Sequence, residues 1–242
     1  TVRALMFLRS FAVQGSWNYE TLIGAGFAFT MLPALRYLYA GDPDRLESAV
    51  ARHAELFNSH PYFSTVAVGA VSRLEADGSE AAVVQRFKTA LRGPLGAMGD
   101  RLIWTTWRPM SLLLAIVLIL AGLSWWIAVA TFFVVYNALH IAVRLAGLRL
   151  GIEAGLDVAR MLREAPLQRV IDAASRLAGI LAGAAVVLAG APMVGDPRAM
   201  LAGGVGITLG LTLGFRTRRV MVALLSGVTF LALALGLTGY GA

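Results

Sequence analysis

Gly93-Pro94-Leu95-Gly96-Ala97-Met98-Gly99-Asp100-Arg101-Leu102-Ile103-Trp104-Thr105-Thr106-Trp107-Arg108-Pro109 is the stretch on which the fold reading turns. It is rich in Gly and Pro, which resist a long regular helix. It carries Asp100, Arg101, Arg108 and two Trp, and it runs straight into residues 109–143, which make 35 positions without Asp, Glu, Lys or Arg. At the edge of a bilayer, ionisable groups and broken backbone are tolerated where protein or a water-filled cavity surrounds them. The expectation is therefore a loop lining a substrate cavity. Asp100 would accept from ligand hydroxyls, and Arg108 would pair with it and order the loop, because burying either charge alone is costly.

Composition agrees with a membrane setting. The 242 residues are 58% hydrophobic and 14% charged, against roughly 25% charged in soluble domains, and the mean hydropathy is +0.71. The formal charge of +7 comes from twenty Arg and one Lys, Lys88. These cations read as orientation signals in loops, and no aromatic-interleaved basic patch argues for nucleic acid. There is no Cys, so a disulfide framework and a thiolate metal site are both excluded. No P-loop, dinucleotide fingerprint, nucleophile elbow or Ser-His-Asp order is present, and no cofactor is expected. Thr1 shows neither a start Met nor a signal-peptide pattern, which fits a trimmed beginning.

Three further charge-free runs follow, at 177–195 (19 residues), 199–215 (17) and 220–242 (23). Each reads as one span, since a span needs about 20 apolar residues. The 109–143 run is too long for one helix, and Gly122-Leu123-Ser124 offers a break. It reads as a membrane-inserted piece at 110–121 and a span at 125–145. The Arg-bearing 144–176 connection and the Arg216–Arg219 turn belong on the cytoplasmic side, which places the 195–198 turn and the C-terminus outside. Gly206, Gly210 and Gly214, and also Gly179 and Gly183, recur every four residues, the spacing that lets helices approach closely in lipid.

The first half differs. Residues 21–35 and 61–72 are charge-free but short, and fit re-entrant or interfacial segments. Between them a helix at 43–58 is predicted, N-capped by Asp42 with Pro43 in its first turn, and with Leu46, Val50, His53 and Phe57 on one face. A second amphipathic helix is predicted at 151–164, with Glu153, Asp157, Arg160 and Glu164 on its polar side and Pro166 ending it. The fold class is an all-α polytopic membrane protein. Re-entrant and interfacial helices occupy residues 1–109, and about four transmembrane helices occupy 110–242, joined by the cytoplasmic connection at 144–176.

Two other constellations carry chemistry. In 14–20, Gln14, Asn18 and Glu20 could hydrogen-bond vicinal hydroxyls, while Trp17 or Tyr19 stacks on a sugar ring; an interfacial aromatic belt is the plainer alternative. In 52–61, His53 and His60 are seven apart with Glu55 between, which does not fit a zinc helix, so no metal is expected and His53 reads as a packed, hydrogen-bonded core residue. Asn58 reads as the C-terminal cap of the 43–58 helix.

Taken in order, these segments resemble the IID membrane component of the mannose/fructose/sorbose family of sugar phosphotransferase systems. The matching stretches are Arg9-Ser10 through Glu20, Met31-Leu32-Pro33 with Leu38-Tyr39, Arg52-His53 with Phe57-Asn58 and Pro61, and Leu74-Glu75. They continue with Gly93-Pro94-Leu95, Gly99-Asp100 and Trp104, Arg108-Pro109, and Tyr136-Asn137. The resemblance implies a bacterial inner-membrane subunit that works with a IIC membrane subunit in a hetero-oligomer. Phosphoryl transfer to a hexose would be carried by IIB, itself charged by IIA, and the IID chain would carry no phosphorylated residue. On this reading Gln14, Asn18, Glu20, Asn58, Asp100 and Trp104 line the sugar path or the IIC interface. Arg92 and Arg101 depart from the family pattern, which motivates the alternative of a regulatory IID-like scaffold. An independent secondary transporter is a further alternative, without an inverted repeat to support it.

Overall fold

The computed structural model describes residues 1–194, 198, 201–205 and 208. Its elements are α1 (Val2–Ser10), α2 (Gly24–Leu38), α3 (Pro43–Ala54), α4 (Ser64–Ala76), α5 (Ala81–Gly99), a π-helical stretch (Asp100–Trp107), α6 (Arg108–Leu120), α7 (Trp125–Ala154), a 3-10 turn (Gly155–Asp157), α8 (Val158–Glu164) and α9 (Leu167–Val194). No named strand occurs among the described residues. Among the described residues, two helical stretches, Ala81–Leu120 and Trp125–Gly190, are long and apolar enough to cross a membrane.

The chain divides into two compact units. The first holds Thr1–Arg101 with Ala138–Ala165, and the second holds Leu102–Asn137 with the chain from Pro166 on. In the first, α2 packs on α1, α3 and α4. Phe27, Met31 and Leu35 of α2 are fully buried, and so are Ala67, Val68, Ala70 and Val71 of α4. The short apolar runs at 21–35 and 61–72 thus pack largely against protein within this unit. In the second unit α6 packs along α9. Met110, Ala174 and Leu181 form its buried cluster, flanked by Trp107, Leu114, Val117 and Val135, and Trp107 Nε1 donates to the Val135 carbonyl at 3.1 Å.

The expected 93–109 loop is helix throughout. Gly99 serves contact rather than a break, since a Cβ there would run into the His60 ring, whereas a Cβ on Gly96 would make only an ordinary contact with Ser59 at 3.9 Å. The π-helical stretch shifts the hydrogen-bond ladder between the two prolines, and Pro109 then falls in the first turn of α6, where no N–H donor is needed. The break at 122–124 is present, with Gly122 at φ +88°. α7 then runs beyond the expected 145 to Ala154.

Other boundaries shift for identifiable reasons. The Asp42 carboxylate accepts from the Arg45 N–H at 2.9 Å, as an N-cap should. That helix ends at Ala54, because Glu55 is extended (φ −57°, ψ 162°), so Asn58 is not its cap. The single helix predicted at 151–164 is broken at Gly155, whose φ of +52° no regular helix accepts. Arg144, read as a loop cation, is a buried residue of α7. The runs at 199–215 and 220–242, and the Gly206, Gly210 and Gly214 stripe, lie largely outside the described residues. Gly183 does meet a neighbour closely, since a Cβ there would stand 2.6 Å from the Gly204 carbonyl oxygen.

A glycine stripe that the sequence reading passed over holds α4 to α7. Gly147, Gly151 and Gly155 recur every four residues along the face toward α4. A Cβ on Gly151 would overlap the Val66 carbonyl and stand 2.6 Å from the Ala70 nitrogen, and one on Gly69 would stand 2.9 Å from the Ile152 nitrogen. Small residues at this spacing let two backbones touch.

Candidate functional site

After α1 the chain leaves the helix in successive tight turns from Phe11 to Trp17. Asn18 then ties a knot. Its Oδ1 accepts from the Glu20 and Thr21 N–H groups at 2.9 and 2.8 Å, and its Nδ2 donates to Thr21 Oγ1 at 2.8 Å and to the Ser16 carbonyl at 3.2 Å. An Asx turn of this kind uses the side chain to set the backbone. Leu22 closes it by pairing with Asn18, at φ +55°, a conformation that strains a residue with a Cβ.

The knot is fastened to the segment after α3. The Ile23 N–H donates to the Phe57 carbonyl and the Phe57 N–H to the Thr21 carbonyl, both at 3.1 Å. Gly24 permits this approach, because a Cβ there would overlap the Glu55 carbonyl. Residues far apart in sequence thus form one ledge: Asn18 and Glu20 on one side, Asn58 on the other. Gln14, Glu20 and Asn58 are exposed. Trp17 and Tyr19 meet edge to face at 4.8 Å, and Tyr19 is 88% exposed.

Beneath the ledge lies a buried polar cluster. The Phe57 ring packs on Phe27 (4.6 Å between centres), which in turn abuts His53 (6.0 Å). His53 is fully buried, and its Nε2 meets Glu75 Oε1 at 2.7 Å. Arg52 reaches the same oxygen at 2.6 Å, and the Tyr39 hydroxyl donates to Oε2 at 2.5 Å. Burial by itself would raise the Glu75 pKa. The bonds from His53, Arg52 and Tyr39 outweigh it and bring the carboxyl down to about 2. Burial lowers the His53 pKa in spite of the carboxylate, so His53 is neutral and donates from Nε2. Burial, with the Glu75 bond acting in the same direction, raises the Tyr39 hydroxyl. Next to them the ammonium of Lys88, also fully buried, takes the Arg52, His53 and Glu55 carbonyls at 3.1, 3.0 and 3.4 Å. It lies 5.2 Å from the Phe27 ring centre. This cation closes the C-terminus of α3, the role assigned from sequence to Asn58.

These features can be set beside known proteins. The family model described as PTS system mannose/fructose/sorbose family IID component matches residues 2–189. The mannose-specific EIID component of Escherichia coli (strain K12) is 33% identical over 186 residues, 75% of this chain. The chain belongs to the IID family. Another relative, the fructose permease IID component of Bacillus subtilis (strain 168), is 31% identical over 75% of this chain. This IID chain spans under two thirds of the length of those relatives, 65% and 66%. A solved cryo-EM structure of the mannose transporter ManYZ with microcin E492 superposes with a TM-score of 0.60 at 33% identity, over 76% of this chain and 69% of that one. A second solved chain, described as a membrane protein, gives 0.67 at 32% identity over the same shares.

The structure of the IID chain pairs the segment that follows Asn18 and Glu20 with Phe57, the residue before Asn58, and spends Asn18 on the turn. Asp100 stands exposed where the π-helical stretch begins, in the first unit. Trp104 and Arg108 belong to the second unit, where the guanidinium lies 4.5 Å from the Trp104 ring centre. That cation–π contact joins residues one turn apart on a helix. Arg92 donates to the Leu56 carbonyl and so braces the ledge segment against α5. Sequence reasoning missed Glu75, Tyr39 and Lys88 as a group. One available signal was Glu75 itself, an acid just past the charge-free run 61–72.

Proposed function

We propose that this chain is the IID subunit of a sugar phosphotransferase system. It pairs with a IIC membrane subunit to bind and translocate a hexose that IIB, charged by IIA, phosphorylates on the inner side. It is a multi-pass protein of the bacterial inner membrane with about four transmembrane helices in its second half and its C-terminus outside. The observation that supports this most is the ledge. Its backbone pairing presents Glu20 and Asn58, with Gln14 on the preceding turn, in the exposed polar form that suits vicinal hydroxyls, beside an aromatic pair that suits a sugar face. Asp100 and Trp104 serve the same path or the IIC interface. Hexose is the substrate class, as the family description and the named relatives suggest.

The test is phosphorylation-coupled hexose uptake by membrane vesicles that contain the IIC, IIB and IIA partners, with and without this chain. Uptake that depends on the chain supports the proposal. Normal uptake without it, or counterflow through this chain alone with no phosphoryl donor, contradicts it.

A further inference from the structure

One face of α5 follows the segment that carries Asn58. Gln85, Lys88, Arg92, Gly96 and Gly99 are spaced three or four apart, so they share a face of the helix. Between them they meet residues 52 to 60. Gln85 Nε2 donates to the Glu55 carboxylate. The Lys88 ammonium donates to the carbonyls of Arg52, His53 and Glu55, which occupies all three of its N–H groups. Arg92 donates to the Leu56 carbonyl. Further along, Gly96 lies beside Ser59, and Gly99 lies against the His60 ring.

The backbone there calls for such partners. A helix leaves its last four carbonyls without intrahelical donors, and α3 ends at Ala54, so Arg52 and His53 carry two of them. Glu55 is extended, which takes the carbonyls that follow out of the helix as well. Those of residues 52, 53, 55 and 56 go to two cations of α5, and that of Phe57 accepts from the Ile23 N–H. Charged donors make bonds roughly twice as strong as neutral ones. Lys88 also lies 5.2 and 5.8 Å from the Phe27 and Phe57 ring centres, so it steadies the Phe57 side chain too. Phe57 and Ser59 are buried, while Asn58 between them is exposed. How Asn58 faces outward is therefore set by how its two neighbours are held.

We propose that Gln85, Lys88 and Arg92 form a positioning rail that fixes residues 52–57 by their backbone and so presents Asn58 to the sugar. None of the three needs to touch the ligand. They act through the carbonyls of the segment and through the Glu55 side chain, and a loss of either cation lets the segment relax against residues 18–23. The positioning of the segment follows from the geometry; its effect on sugar affinity rests on the reading of the ledge given above.

The test uses the full chain with its membrane partner in lipid nanodiscs and reads amide hydrogen exchange at Ile23 and Phe57, the two N–H groups that join the halves of the ledge. Arg92→Met should speed their exchange about ten-fold, the loss of one charge-assisted bond, and Lys88→Met should speed it further. Arg92→Lys, which keeps a cationic donor, should restore most of the protection. Unchanged exchange in Arg92→Met overturns the rail; Arg92 is only half-buried, so this reading holds even where Lys88→Met fails to fold. Phosphorylation-coupled uptake by the reconstituted complex is measured beside it, with radiolabelled mannose or fructose, whichever the parent complex takes up. Arg92→Met should raise KM and leave the maximal rate per folded complex unchanged, with rescue in Arg92→Lys. A lower maximal rate at unchanged KM overturns the positioning role. Asn58→Ala separates the two claims. A raised KM in Asn58→Ala with none in Arg92→Met refutes the rail alone. Faster exchange in Arg92→Met with KM unchanged in both variants upholds the rail and refutes the sugar ledge.

Discussion

Replacing Glu75 by Gln is expected to destabilise the first unit by about 3 kcal/mol, since removing one partner from a buried ion pair leaves the other charge uncompensated. Arg52 would lose its counter-charge, and Gln offers one acceptor oxygen where Glu75 offers two, so either Tyr39 or the Arg52–His53 side would face an amide NH2. Unfolding of the detergent-solubilised protein, followed by denaturant midpoint, reads this. A midpoint unchanged from the parent would mean that the cluster contributes nothing. The same residue sets a pH dependence. The Glu75 pKa is lower in the folded protein, about 2 against 4.5, so its stabilisation is complete above pH 4.5 and is lost as pH falls toward 2. The shift is worth about 3 kcal/mol at 1.36 kcal/mol per unit. His53, whose pKa burial lowers from 6.5, adds to the loss in the same direction, because the unfolded chain takes the proton first. In Glu75→Gln the limb between pH 4.5 and 2 should flatten, while the His53 contribution below pH 6.5 should grow, because Glu75 is what holds the His53 pKa up against burial.

The second large effect is expected at Gly151. A Leu there cannot fit while the α7 backbone touches Val66 and Ala70 of α4. The helices must separate, with a loss of more than about 3 kcal/mol, because overpacking against backbone has no flexible side chain to absorb it. Gly96→Ala is the matched control. Its nearest neighbour would be the Ser59 Cα at 3.9 Å, an ordinary contact. Ala in a helix interior gains about 0.5–1 kcal/mol over Gly. Thermal midpoints that move in opposite directions for the two variants support glycine-mediated packing of α4 on α7. Equal shifts would show that glycine content, not contact, matters.

The contrast between these two glycines also explains how far the sequence could be read. Elements with local signals were legible. Asp42-Pro43 starts α3 where expected, Gly122-Leu123-Ser124 breaks the apolar run, and His53 is the packed histidine that its helical face suggested. Features that depend on a distant partner were not. Gly99 looks like a helix breaker until His60 is seen against it. Arg144 looks like a loop cation until Ser10, more than a hundred residues earlier, receives it. Glu75 finds His53 and Tyr39 across 22 and 36 residues, a pairing that no local period reveals. For the ledge the residue types were legible in Gln14, Glu20 and Asn58, but not the Phe57 pairing that joins them, nor the use of Asn18 as the knot rather than as a free ligand.

The account rests on the ledge taking part in sugar binding, and Asn58 tests this most directly. Its side chain is exposed and lies outside every helix, so Asn58→Ala should leave folding intact. In the reconstituted complex the KM for hexose in phosphorylation-coupled uptake should rise about ten-fold, the loss of one well-made polar contact, about 1.4 kcal/mol. A KM and maximal rate both equal to those of the parent complex would contradict the account.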